Sequence, residues 1–374
     1  MRRRIRVLHT IQNLNYGGME RVLANIVERI DPERFESHVL VFQYLGRFSE
    51  GLDAFAGLHA MDRVSRLSML WPRSIARMIR SIAPDVVHSH SGVWYKSSLA
   101  ARMAGVARVI HTDHGRQQPD PWQARLLDGL ASRRTDVAVA VSDMVAAQLR
   151  DGIVRGRCRI EVVVNGVDTD SVVRTHDVDR MRTELSIEPD APVIGSIGRL
   201  EPIKDYATMI DAFARLLGRW EQTPCPVLVI AGNGSERERL ESAAAAARID
   251  DRVRLLGWHD DIPRLLGAFT LFTMSSLSEG TSISLLEAMS ARLCPVVTDV
   301  GGNSAVLGPA LRHRLVPAAD PEALAAAWLD ALSNPQRRIE DGETARARVV
   351  AEYSLDRMVD RYQEIYEDHL PLGR

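Results

Sequence analysis

Two carboxylates, Glu279 and Glu287, stand eight positions apart in the run Ser278-Glu279-Gly280-Thr281-Ser282-Ile283-Ser284-Leu285-Leu286-Glu287. They straddle a glycine and a predicted helix start, so Glu279 is expected in an exposed loop and Glu287 about one turn inside the helix. The backbone N–H groups of Thr281, Ser282 and Ile283, following Gly280, would face an anion at that helix N-terminus, and each carboxylate can accept hydroxyl hydrogen bonds from a sugar or ribose. Ser284 and Glu287 also have the spacing of a capping box, a purely structural alternative that accounts for Glu287 and leaves Glu279 unexplained.

A second constellation is Gly198-Arg199-Leu200-Glu201-Pro202-Ile203-Lys204-Asp205, on a predicted strand-to-helix loop. An arginine and a lysine five positions apart can both reach a diphosphate, the guanidinium as a fork and the ammonium as a point charge. Two charges on a loop are ordinarily just solvated. Here, of 47 Lys and Arg residues only Lys96 and Lys204 are lysine, so a lysine kept against that bias favours chemistry. Weaker signals lie nearer the start. Gly17-Gly18 opens a helix whose Val22, Ile26 and Ile30 recur at helical spacing, which lets backbone N–H groups approach an anion or merely makes a tight turn. His88-Ser89-His90 and His111-Thr112-Asp113-His114 fall at the ends of two predicted strands and are candidates to line one wall, although a lone histidine is usually structural.

The elements that must position these residues are short Val- and Ile-rich runs alternating with helical-period segments, the pattern of parallel βαβ units. Strands are expected near residues 5–11, 37–42, 85–88, 108–111, 136–141 and 160–163. After Asn165-Gly166-Val167-Asp168 the pattern restarts, with strands near 193–197, 227–231, 252–255, 271–273, 295–298 and 314–316. Two domains follow, with a boundary at about residue 170, and open parallel sheets hold ligands at the carboxyl ends of their strands. A chain of 374 residues is long enough for two cores. Residues 353–369 have helical spacing with Met358, Tyr362, Ile365 and Tyr366 on one side, and the spacing does not say which domain they cover.

Composition narrows the classes. The net charge of -2 gives no case for nucleic acid, yet residues 1–172 hold 24 basic and 18 acidic side chains against 23 and 31 in the remainder. A basic first half suits an anionic acceptor or a membrane surface, or is simply a solvated face. The segment from Arg63 to Arg80, with Met69, Leu70 and Trp71, is a candidate to rest on a membrane, the alternative being an amphipathic surface helix and loop. No apolar run is long enough for a transmembrane helix, and the start leads into a strand in place of a signal peptide, so a soluble cytoplasmic protein is expected. Cys158, Cys225 and Cys294 lack metal or disulfide spacing and are read as buried reduced thiols.

Taken together these motifs resemble the family 4 retaining glycosyltransferases, over nearly the whole chain. The resemblance rests on the Glu279 and Glu287 pair, the Gly-Arg-Leu-x-Pro-x-Lys run at 198–204, Asn165-Gly166-Val167-Asp168 and Gly-Gly-x-Glu-Arg at 17–21. It implies an α/β fold of the GT-B type, two Rossmann-like domains with parallel sheets facing a central cleft. The acceptor domain would be residues 1–170 with a returning helix at about 354–374, and the donor domain residues 171–353. It implies that Arg199 and Lys204 neutralise the donor diphosphate, Glu287 binds ribose and Glu279 contacts the transferring sugar. His114 would sit beside the reacting sugar, with His90 also on the acceptor side. Gly17 and Gly18 would approach the phosphates. Gly232-Asn233-Gly234, Trp258 and Ile262 would surround the nucleotide and its base, beside the phosphate-facing Gly280, Thr281, Ser282 and Ile283. The partners implied are a nucleotide diphosphate sugar, UDP favoured over GDP, and a sugar or lipid-linked acceptor, with no metal or other cofactor. Val300-Gly301-Gly302-Asn303 adds a likeness to bacterial enzymes of exopolysaccharide or cell-envelope assembly, in the cytoplasm or at the inner face of the plasma membrane.

Three other readings compete with this one. A pyridoxal phosphate phosphorylase needs a Schiff-base lysine, for which only Lys96 and Lys204 exist. A sugar-nucleotide epimerase would release no nucleoside diphosphate. A non-catalytic sugar-nucleotide-binding module would be expected to have lost one of Arg199, Lys204, Glu279 or Glu287, and all four are present.

Overall fold

The computed structural model describes residues 3–15, 17–61, 71–115, 121–169 and 175–368. The chain divides into two compact units, one of Met1–Gly166 with Leu355–Arg374 and one of Val167–Ser354.

The first unit is built on seven parallel strands: β1 (Ile5–Ile11), β2 (Phe35–Val41), β3 (Ala56–Ala60), β4 (Val86–His90), β5 (Arg108–Asp113), β6 (Val137–Ala140) and β7 (Arg159–Val162). Their order is β3-β2-β1-β4-β5-β6-β7. β4, β5 and β6 are buried at every position, because helices cover both faces of a parallel sheet and reward runs without alternation. β3, of sequence AGLHA, was not expected; an edge strand is covered less completely and its small residues carry no β signal.

Helix Arg73–Ile82 buries Ile75, Ala76, Ile79 and Ile82 in the core of this unit, so its apolar face is already covered. Trp71 just before it is exposed, with Arg73 over its ring, and the rest of the membrane-facing candidate, residues 62–70, lies outside the described residues. The last helix, Leu355–Glu367, belongs to the first unit, where it packs on helix Gly18–Arg29 and on β1. It buries Met358, Tyr362, Ile365 and Tyr366, and its Gln363 accepts a hydrogen bond from Asp31 N at 3.0 Å.

The second unit has six parallel strands: β8 (Val193–Ile197), β9 (Val227–Ala231), β10 (Val253–Gly257), β11 (Leu271–Met274), β12 (Cys294–Thr298) and β13 (Leu315–Val316), in the order β10-β9-β8-β11-β12-β13. In each sheet the strand order reverses next to the first strand, between β1 and β4 and between β8 and β11. Adjoining loops leave in opposite directions at such switch points and open a crevice at the carboxyl ends. Among the described residues no helix is long and apolar enough to cross a membrane. Cys294 is buried as expected, while Cys158 and Cys225 are only partly so; all three are free thiols.

Candidate active site

The carboxyl end of β8 continues through Gly198-Arg199-Leu200-Glu201 into a short turn, Pro202–Lys204, and then helix Tyr206–Leu217. Asp205 sits in the left-handed region, with φ of 47°, and caps that helix by accepting a hydrogen bond from Thr208 N. The loop is tied to the one after β9: Gly198 N donates to Ala231 O at 2.9 Å, Leu200 N to Asn233 O at 2.9 Å and Ser235 Oγ to Glu201 at 2.9 Å. Gly232, with φ of 144°, lies against the Gly198 carbonyl, where a Cβ would collide with backbone. Asn233 is exposed beside this contact. The reach of the two loops is therefore set by backbone.

At the neighbouring carboxyl end, β11 leads through Ser275 to Ser282 into helix Ile283–Ser290. Ser282 is the N-cap and accepts from Leu285 N, so a capping box on Ser284 and Glu287 is ruled out. The reason is one of register: the helix begins two residues earlier than such a box needs, which places Glu287 fifth in the helix, half-buried. Ser282 and Ser284 hydroxyls lie 3.2 Å apart at this end, with Thr281 buried beside them.

Glu279, expected to be exposed, is buried, its side chain 8% accessible. Its Oε1 accepts from Lys204 Nζ at 2.5 Å and from Ser276 Oγ at 2.5 Å. Ser275 Oγ donates to Lys204 O at 2.9 Å and Leu277 N to Ile203 O at 2.9 Å, so the two loops are stitched on both sides of the ion pair. The loop after β12 braces them from behind. Gly302 N donates to Glu279 O at 3.2 Å, and Thr298 Oγ1 to Ser276 O at 2.7 Å. Gly301, with φ of 54°, and Gly302 lie against the carbonyls of Glu279 and Gly280, leaving no room for a side chain.

The two expected phosphate cations are thus unlike. Lys204 is committed to Glu279 and partly buried, whereas Arg199 is exposed and pairs with no described carboxylate. Farther along, Trp258 is exposed with its indole N–H bonded to Asp260 at 2.6 Å, and Ile262 opens a helix capped by Asp261. Gly257 at the end of β10 accepts from Gly232 N at 2.7 Å, which brings the β9 and β10 loops together.

In the first unit Gly17 and Gly18 open helix Gly18–Arg29; Gly17 is its extended N-cap and Gly18 is exposed. The histidines expected to line a wall separate into different roles. His88 is wholly buried, with Nδ1 at 2.8 Å from Tyr366 Oη and Nε2 at 2.7 Å from Thr112 Oγ1, so it ties the last helix to the sheet. His111 stacks on Trp94 with centroids 4.0 Å apart and bonds Ser89. His90 is wholly buried and bonds His114, which alone of the four is half-exposed. Gly301-Gly302 and the helical face that carries Tyr366 stand out in the sequence without their contacts, whereas Ser275, Ser276 and His9 do not stand out at all. A loop serine and a histidine within a strand carry no local signal of such contacts.

A fold of two Rossmann-like parallel-sheet units, with a cation and a carboxylate joined at the switch point of the second, defines a nucleotide-sugar enzyme of the GT-B architecture. Residues 16–171 match the family model described as Glycosyltransferase Family 4, and residues 177–348 match that of Glycosyl transferases group 1. The chain belongs to this glycosyltransferase family. It is 24% identical to the UDP-Gal:alpha-D-GlcNAc-diphosphoundecaprenol alpha-1,3-galactosyltransferase of Escherichia coli, covering 98% of this chain and 97% of that one. It is 26% identical to the lipopolysaccharide core biosynthesis glycosyltransferase LpsE of Rhizobium meliloti, over 93% and 95%. Among solved structures, Anabaena HepE in complex with UDP and glucose superposes with a TM-score of 0.85 at 19% identity, over 96% of this chain and 99% of that one. WaaG, involved in lipopolysaccharide biosynthesis, gives 0.75 at 16% identity, over 97% and 100%. The relatives act on nucleotide sugars in polysaccharide and glycoconjugate synthesis, and nothing favours the phosphorylase, epimerase or silent-module readings.

Proposed function

We propose that the chain transfers a hexose-type sugar from UDP-sugar, with retention of anomeric configuration and without a metal, to a sugar or lipid-linked sugar acceptor in the cytoplasm at the inner face of the plasma membrane. The observation that carries this is the Lys204–Glu279 pair, fixed at 2.5 Å between the two loops of the β8/β11 switch point, with the exposed Arg199 on the same loop as Lys204. UDP is favoured by the likeness to the UDP-bound HepE and to the galactosyltransferase that uses UDP-Gal.

In this reading Arg199, Lys204 and the N-terminus of helix Ile283–Ser290 hold the donor diphosphate, with Gly17 and Gly18 offering further N–H groups. Three hydrogens on the Lys204 ammonium allow it to keep Glu279 and still donate to phosphate. Glu287 accepts from the ribose hydroxyls. Gly232, Asn233, Trp258 and Ile262 frame the nucleoside. Gly280, Thr281, Ser282 and Ile283 supply the approach to the phosphates. Glu279, oriented by Lys204 and Ser276, accepts from a hydroxyl of the transferring sugar, and His114 contacts that sugar.

As the bond from the anomeric carbon to the phosphate oxygen breaks, its electron pair leaves with the nucleoside diphosphate. Fixed cations and N–H dipoles are aimed at the charge that develops there, which is the role a divalent metal has in other transferases. The acceptor hydroxyl adds to the same face of the anomeric carbon, and its proton passes to the departing phosphate.

The test is binding and turnover with a panel of UDP-, GDP- and ADP-sugars in chelator, with the product anomer read by NMR. UDP-sugar turnover with the α anomer retained, and its loss in Glu287→Ala, is the expected outcome. Binding of none of the three nucleotides would refute the site; turnover that stops in chelator would refute the metal-free mechanism.

A further inference from the structure

The switch point of the first sheet carries a polar assembly of a different kind. His9 on β1 is paired in register with His88 on β4, which brings His90, two residues on, to the same crevice. His9 Nδ1 lies 3.3 Å from His90 Nε2, and His90 Nδ1 lies 3.0 Å from His114 Nε2. His9 and His90 are entirely buried, and His114 is the half-exposed end of this chain of rings. Burial keeps His9 and His90 neutral, the pKa of His9 lowered to about 3 and that of His90 well below its usual value, and partial burial lowers that of His114 in the same direction.

A neutral imidazole carries one N–H and one bare nitrogen, so a chain of three has only two possible polarities. The choice is made at its buried end, where His9 Nε2 meets no hydrogen-bond partner among the described residues. If protons point from His9 toward His114, that stranded nitrogen is a bare acceptor. If they point the other way, it is a buried N–H with nothing to accept it, which is the rarer and costlier defect. The first polarity therefore wins. His9 donates to His90, His90 donates from Nδ1 to His114 Nε2, and the single proton of His114 is left on Nδ1.

We infer that His90, backed by His9, is a positioning residue that holds His114 as the Nδ1–H tautomer, so that His114 presents a hydrogen-bond donor and not a base to the transferring sugar. This rests on the proposed role of His114. It removes His90 from direct contact with the acceptor, since both its ring nitrogens are taken. His9, His88 and His90 also bring ring nitrogens within 4.8 Å of one another, a grouping that can hold a metal. Both nitrogens of His88 are engaged by Tyr366 and Thr112, however, and the hydrogen-bonded arrangement uses the remaining contacts without an ion.

The decisive measurement is long-range 15N–1H correlation on histidine-labelled full-length protein, with His114 assigned from His114→Gln. The wild type should show His114 protonated at Nδ1 and bare at Nε2. His90→Leu should give mixed tautomers and a kcat lower by about tenfold, with KM for the donor little changed, the loss expected for one neutral hydrogen bond. His90→Asn, which retains an N–H near the position of Nδ1, should restore the tautomer and most of the turnover. An Nε2–H tautomer in the wild type overturns the inference, as does an unchanged tautomer in His90→Leu or a stoichiometric metal lost in His9→Leu. If His90→Leu fails to fold, the wild-type and His90→Asn spectra still decide. Full turnover in His114→Ala would defeat the catalytic role of His114 instead, and the tautomer would be read independently of it.

Discussion

Replacing Lys204 by Met separates two jobs that the lysine holds at once. Its Nζ is 2.5 Å from Glu279 Oε1, and the two side chains are 19% and 8% accessible. Removing one partner of a buried ion pair costs about 3 to 5 kcal/mol because the other charge is left uncompensated. Lys204 is partly open to solvent and Ser276 still donates to Glu279 at 2.5 Å, so a loss of about 2 to 3 kcal/mol is expected for the second unit. Lys204→Met should also weaken UDP binding by about 10- to 100-fold, the effect of one charge-assisted hydrogen bond to phosphate. UDP carries no transferring sugar, so its affinity reports the diphosphate contact without Glu279's proposed contact. The double variant Lys204→Met with Glu279→Gln removes the stranded carboxylate and should recover most of the stability but none of the affinity. Urea unfolding followed by tryptophan fluorescence gives the first quantity, and calorimetric UDP titration in chelator the second. Recovery of UDP affinity together with stability in the double variant would refute the reasoning, because the lysine would then act on the nucleotide only by steadying Glu279.

Other consequences are open to direct measurement. Gly301→Ala places a Cβ on the Glu279 carbonyl at a residue with φ of 54°. It should cut turnover at least tenfold while the far-UV circular dichroism stays native, and undiminished turnover would show that the loop after β12 does not set the site. Tyr366→Phe removes the hydroxyl 2.8 Å from His88 Nδ1 and should destabilise the first unit by about 1 to 2 kcal/mol in urea, with UDP affinity unchanged. The depressed histidines fix the sign of a pH effect. The folded state keeps the wholly buried His9 neutral down to about 3, whereas unfolded histidine titrates near 6.5, so the unfolded state binds more protons between these values. Stability from this ring is then fully present above pH 6.5 and falls as the pH drops below it, by up to about 1.4 kcal/mol per pH unit. His9→Phe should flatten the fall between pH 6.5 and 5, and an identical slope in the variant would show that His9 is not held neutral.

Legibility in the sequence followed the range of the interaction that fixes each feature. The strands Val193–Ile197 and Val227–Ala231 are readable to the residue, because central parallel strands are uninterrupted apolar runs ended by glycine or the next turn. The edge strand Ala56–Ala60 is not, since its pairing with β2 rather than its composition makes it a strand. Arg199, Lys204, Glu279 and Glu287 stand out by type and spacing. The burial of Glu279 does not, because it depends on a lysine 75 positions away and on a serine whose hydroxyl looks like any other loop hydroxyl. Ser282 and Ser284 are both credible caps locally, and the choice is made by where the helix starts.

His9 marks the limit of such reading most clearly. It lies within the strand IRVLHTI, where a histidine gives no hint of function, and only the register that sets it opposite His88 assembles the imidazole chain. Both sheets thus place their polar assemblies at the switch point, and each solves the cost of burial differently. The β8/β11 crevice keeps charge, a lysine and a glutamate that neutralise one another, with Arg199, which pairs with no described carboxylate, on the same loop as the lysine. The β1/β4 crevice holds neutral rings instead: in the inferred polarity each donates to the next, and a chain of fixed direction can orient a group at its half-exposed end without burying a charge.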